Sequence, residues 1–151
     1  MPPPVSRWLY SPSENGIISF FFSYFAPMIM RYSWPALVWL LIVLVLTLIP
    51  GPAIPDVGFS FRIDKIVHFF LFGIQMVLTA YALEKHTLLR GAPARPILVS
   101  VIFSIAAGVG IEFLQRFVPG RSFSVFDMVA NTIGVGIGYY VFRYLKKRNR
   151  L

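Results

Sequence analysis

Eight hydrogen-bonding or ionisable side chains gather in two short stretches: Asp64, Lys65 and His68 in one, Glu112, Gln115, Arg121, Asp127 and Asn131 in the other. Carboxyl groups beside an imidazole are suited to proton transfer or cation ligation. An arginine with a nearby lysine suits an anion, because the guanidinium fork matches phosphate and carboxylate oxygens. The second stretch brackets a turn, Val118-Pro119-Gly120-Arg121, where two apolar runs meet. Ionisable groups at membrane depth are costly, so they face a bundle interior or a polar cavity and mark function. These eight residues are the candidate ligand-binding set.

The elements that must position them are membrane helices. Of 151 residues, 57% are hydrophobic and only 13% charged, against about 25% charged in a soluble domain; mean hydropathy is +0.72. The net charge of +8 would point to nucleic acid in a soluble protein. Here the basic residues sit at the ends of apolar segments, where anionic lipid and topology account for them, so no nucleic-acid partner is expected. With no cysteine, disulfides and thiolate metal sites are excluded. No metal and no cofactor is assigned. The glycines match no phosphate-loop pattern and read as packing positions. The N-terminal sequence lacks the pattern of a cleavable signal peptide.

Four segments approach the ~20 residues that cross a ~30 Å hydrocarbon layer: 33–49, 64–83, 96–117 and 124–145. Pro35 is expected in the first helical turn, where a missing N–H costs nothing. Residues 17–30 are apolar and aromatic but short, which fits an interfacial or re-entrant segment. The expected fold is an all-α membrane protein: an antiparallel four-helix transmembrane bundle with that N-terminal apolar segment. Residues 1–33 form an extension, 34–145 the four-span domain and 146–151 a basic cytoplasmic tail.

At ~100° per residue, positions four or seven apart share a face. Asp64, His68 and Gln75 line one face of the second segment. Ser104, Gly108, Glu112 and Gln115 do so on the third, and Asp127, Asn131, Gly134 and Gly138 on the fourth. Gly134 and Gly138 read as a close-packing face. Ser124 and Asp127 have capping-box spacing, and Pro119-Gly120 fits the centre of a type II turn. Glu112 is expected to pair with Arg121, Lys65 or Arg62, His68 with one of the acids, and Arg121 with Glu112 or Asp127.

Lys and Arg counts set orientation. The N-terminal region, the second loop and the C-terminal end together carry ten, against four (Arg62, Lys65, Arg116 and Arg121) on the opposite side. The positive-inside rule puts both termini in the cytoplasm and the Pro-Gly-Arg turn outside.

The run Asp64-Lys65-Ile66-Val67-His68, then Glu112-Phe113-Leu114-Gln115 with Val118-Pro119-Gly120-Arg121, then Asp127 and Asn131 with Gly134, resembles the VanZ-like family of small bacterial integral membrane proteins. The resemblance covers about residues 34–145. The family is named for a protein linked to low-level resistance to the glycopeptide teicoplanin, and its molecular activity is not established. The resemblance implies a multi-pass protein of the bacterial inner (cytoplasmic) membrane and no reaction.

The expected function is a binding or accessory role, with an outward-facing polar pocket for an anionic lipid-linked, cell-wall or glycopeptide component. A structural or accessory subunit of a larger membrane complex is the alternative, with residues 1–33 as a docking element for membrane protein partners. An enzyme acting on a lipid phosphate is the second alternative; a lone His with two carboxyls on three helices permits it without being diagnostic.

Overall fold

Long apolar runs ended by prolines, glycines and a serine cap make helices, because in lipid only internal bonding satisfies the backbone. A computed structural model describes residues 26–53, 60–85, 94–148 and 150. It contains α1 (Ala26–Thr47), a short 3-10 turn (Gly51–Ala53), α2 (Ser60–Lys85), α3 (Ala94–Gln115) and α4 (Val125–Lys147). The described residues are all-helical, with no strand. Three helical stretches are long and apolar enough to cross a membrane: Ile63–Lys85, Arg95–Gln115 and Val125–Lys147. At ~1.5 Å per residue each exceeds 30 Å. The apolar stretch Arg31–Thr47 is shorter.

The chain divides into two compact units, Met1–Arg31 and Tyr32–Leu151. Of the first, only residues 26–31 are described, as the opening of α1; residues 17–25 of the expected interfacial segment lie outside the described residues. The first helix therefore starts earlier than its expected boundary at Ser33, and Pro35 lies inside it rather than in its first turn. Proline removes one N–H and crowds the carbonyl four residues back. Transmembrane helices tolerate this because neighbouring groups and local adjustments absorb it.

In the second unit, hydrogen bonds fix how the helices alternate. Gln115, at the end of α3, donates to Thr47 O at the end of α1. The starts of α2 and α4 meet at the same end of the bundle through Lys65 and Asp127. At the other end Lys146 pairs with Glu84. The helices thus run up, down, up, down, with α2 and α4 parallel to each other.

Small residues bring α2 and α4 together. A Cβ at Gly134 would collide with the Phe69 carbonyl, and one at Gly138 with the Gly73 carbonyl. This is the close-packing face read from the sequence. Val43, Leu71, Phe72, Met76, Ile111, Val135 and Phe142 fill the core, and the Trp39 indole donates to Leu71 O at 2.9 Å, tying α1 to α2. The outward faces are apolar: Leu37, Leu41 and Val45 on α1, Ile66, Phe70 and Ile74 on α2, and Ile133, Ile137 and Tyr140 on α4 are exposed. Ser104, Gln75, Glu112, Asp127 and Asn131 are buried instead. Polar inside and apolar outside is the arrangement a hydrocarbon solvent selects.

Candidate functional site

The site lies where α2 and α4 begin and α3 ends. Three backbone devices hold this end. Ser124 caps α4, its Oγ accepting from Asp127 N. Residues 118–121 form the expected type II turn, with Arg121 N donating to Val118 O at 3.1 Å and Gly120 at φ +73°, a conformation glycine adopts without strain. Gly51 N donates to Pro119 O at 3.0 Å, fastening the turn to the chain after α1.

On this frame seven of the eight candidate residues converge in one network. Arg121 Nη1 lies 3.4 Å from Asp64 Oδ1, and its Nε donates to Ile49 O at 3.1 Å. Asp64 Oδ1 faces His68 Nε2 at 4.0 Å. His68 Nδ1 is 3.0 Å from Asn131 Oδ1 and 3.6 Å from Glu112 Oε1. Lys65 Nζ donates to Asp127 Oδ1 at 2.9 Å. His68, Glu112, Asp127 and Asn131 are each at most 4% exposed, whereas the Asp64 side chain is about one-third exposed. The network runs from the surface at Asp64 and Arg121 to a closed interior at Glu112.

Several expected pairings fall out differently. Glu112 forms no ion pair with Arg121, which turns to Asp64. Its Oε2 accepts the Ser124 backbone N–H at 3.3 Å, while Oε1 accepts no hydrogen bond. The side chain of Arg62 lies outside the described residues. Arg121 pairs with Asp64 rather than with Glu112 or Asp127, because the turn carries it toward the start of α2. Gln115, the eighth candidate, points to α1 and bonds the Thr47 carbonyl at 2.8 Å. It satisfies one of the carbonyls a helix end leaves open.

One feature was not singled out from the sequence. Arg116, Arg121 and Ser122, with the rings of Phe113 and Phe123, line a cleft of about 390 Å³ beside the network. The two rings are 5.4 Å apart between centroids. The sequence signal for it is a second arginine, Arg116, close to the Pro119-Gly120 turn.

The geometry matches the motif order noted in the sequence, and the VanZ/LLP1 family model matches residues 37–146. The chain belongs to the VanZ/LLP1 family. The matched region contains every residue of the network and the cleft. "Uncharacterized protein C11E3.10" of Schizosaccharomyces pombe is 35% identical over 74 residues, which are 49% of this chain and 43% of that protein. The alignment therefore spans less than half the length of this relative. Since the relative is from fission yeast, the bacterial source implied by the resemblance is not part of what family membership establishes. No solved structure matches the chain.

Proposed function

We propose that this VanZ/LLP1 protein is a membrane-embedded binding protein whose polar end receives an anionic headgroup. The arginine cleft is the observation that carries the reading. It sets two guanidiniums and a hydroxyl between two aromatic rings, beside the last turn of α3. Guanidinium forks bind phosphate or carboxylate oxygens, and the rings offer an apolar wall to the first carbons of an attached chain. Arg116 makes no hydrogen bond or ion pair among the described residues, and Arg121 is held in place by Asp64 and Ile49 O. One cation is thus available and the other is pre-positioned.

In this reading the chain is a multi-pass protein of the cytoplasmic membrane with both termini cytoplasmic, a topology supported by its Lys and Arg distribution, and the cleft then faces outward. The relative's name carries no ligand, so the cell-wall or glycopeptide component expected from the resemblance is narrowed here to its shared chemistry, an anionic group on a lipid. Native mass spectrometry of the full chain, titrated with a lipid phosphate monoester and with a zwitterionic lipid, tests this. The phosphate lipid should bind in preference. The Arg116→Gln/Arg121→Gln double variant should lose at least about tenfold in affinity, since charge-assisted bonds contribute about 1.5–3 kcal/mol each. Equal retention of both lipids, or wild-type affinity in the double variant, would sink the reading.

A second reading, an enzyme acting on a lipid phosphate, draws on the imidazole of His68 standing close to two carboxyls. Turnover of a lipid phosphate that is lost in His68→Ala would favour it over binding alone.

A further inference from the structure

We propose that Asp64, His68 and Asp127 form a binding site for a first-row divalent cation such as Zn²⁺. The three residues offer ligand atoms that all lie within 4.8 Å of one another, on two helices at one end of the bundle. Mixed imidazole and carboxylate donors suit such ions.

The orientation of His68 carries the argument furthest. Its Nδ1 sits 3.0 Å from the carbonyl oxygen of Asn131. In the tautomer in which Asn131 Oδ1 accepts from Nδ1–H, the lone pair lies on Nε2. That lone pair faces Asp64 Oδ1, a second acceptor, at 4.0 Å. The gap is too long for a hydrogen bond. Two acceptors turned toward each other leave a place for a cation. Metal-binding histidines characteristically donate their other ring N–H to a carbonyl or carboxylate, which fixes the ring and its tautomer. Asn131 performs that task.

A third carboxyl adds negative charge beside the ring. Glu112 is completely buried, its Oε1 has no hydrogen-bond partner among the described residues, and that oxygen stands 3.6 Å from His68 Nδ1, the nitrogen that faces Asn131. Among the described residues, three carboxyl groups therefore stand near one imidazole, and Lys65 and Arg121 pair with two of them. Ligands of an ion with ~2.1 Å bonds stand roughly 3.4 Å apart across a tetrahedral edge, so the cluster must contract. Asp64 can supply that movement, being at the helix start and one-third exposed. Asp127 has two oxygens, and Lys65 Nζ contacts one of them.

The test is calorimetric titration of Zn²⁺ into the full chain, stripped with a chelator and held in detergent. One equivalent should bind. Asp64→Asn and His68→Ala should each weaken it at least about tenfold, and Asn131→Ala by roughly 10–100-fold as a positioning residue. Should His68→Ala fail to fold, Asp64→Asn decides, because that side chain lies toward the surface. His86→Ala, which removes the other histidine of the chain, and Arg116→Gln, in the headgroup cleft, should both bind Zn²⁺ as the wild type does. No binding, or binding that survives Asp64→Asn and is lost in His86→Ala, would overturn the proposal without touching the headgroup reading.

Discussion

Glu112 completes the cap of a helix it does not belong to: its Oε2 accepts the backbone N–H of Ser124, 3.3 Å away, at the start of α4. In a capping box the residue three positions on would reach back to that N–H. Asp127 holds that position, but its carboxylate is engaged with Lys65, and α3 lends a carboxyl instead. The borrowed cap joins the end of α3 to the start of α4 and brings a buried acid to within 3.6 Å of His68.

The Ser124 side chain supplies the other half of the cap, accepting from Asp127 N. Ser124→Ala should lower stability by about 1 kcal/mol, and Ser124→Gly by only a few tenths. Thermal unfolding in detergent, followed by helical circular dichroism, measures both. Equal losses would show that the hydroxyl is not the capping group.

Glycines on α4 should separate by face. Gly134 and Gly138 abut the α2 backbone, whereas a Cβ at Gly136 would meet nothing within 4 Å. Gly134→Ala must push the helices apart and should destabilise. Gly136→Ala should stabilise by about 0.4–1 kcal/mol through lost freedom of the unfolded chain. The same unfolding experiment reads the opposite signs.

These two faces were legible because burial follows helical period. Ser104, Gly108, Glu112 and Gln115 share a stripe, and all four are buried; Asp127, Asn131, Gly134 and Gly138 behave likewise. Pairing was not legible. Asp64 and Arg121 are far apart in the chain, and only the turn at Pro119-Gly120 decides that Arg121 reaches Asp64 rather than Glu112. Gln115 shares the stripe yet bonds Thr47 O, since a stripe fixes a direction and leaves the choice of neighbour to packing. The position of Pro35 followed a rule for helices in water, which weakens when lipid leaves the backbone no other partner.

The Lys65–Asp127 pair should respond unequally to loss of either partner. The Lys65 side chain is 21% exposed and that of Asp127 only 6%. Asp127→Asn leaves a lysine whose flexible stem can carry its ammonium toward water. Lys65→Met leaves a buried carboxylate without its ammonium, which approaches the ~3–5 kcal/mol of a broken buried pair. Lys65→Met should therefore destabilise more than Asp127→Asn. The reverse order in unfolding measurements would place the cost in Lys65 desolvation.

Orientation can be read directly because the native chain has no cysteine. Ser122 is exposed at the network end, and Lys147 is exposed at the opposite end of α4. With the basic end retained in the cytoplasm, Ser122→Cys should react with a membrane-impermeant maleimide in intact cells. Lys147→Cys should react only after permeabilisation. Ser122 lines the cleft and Lys147 lies at the far end of α4, and neither is one of the seven network residues. Labelling of Lys147→Cys alone in intact cells would invert the topology and place the arginine cleft on the cytoplasmic face, where an outer-leaflet headgroup cannot reach it.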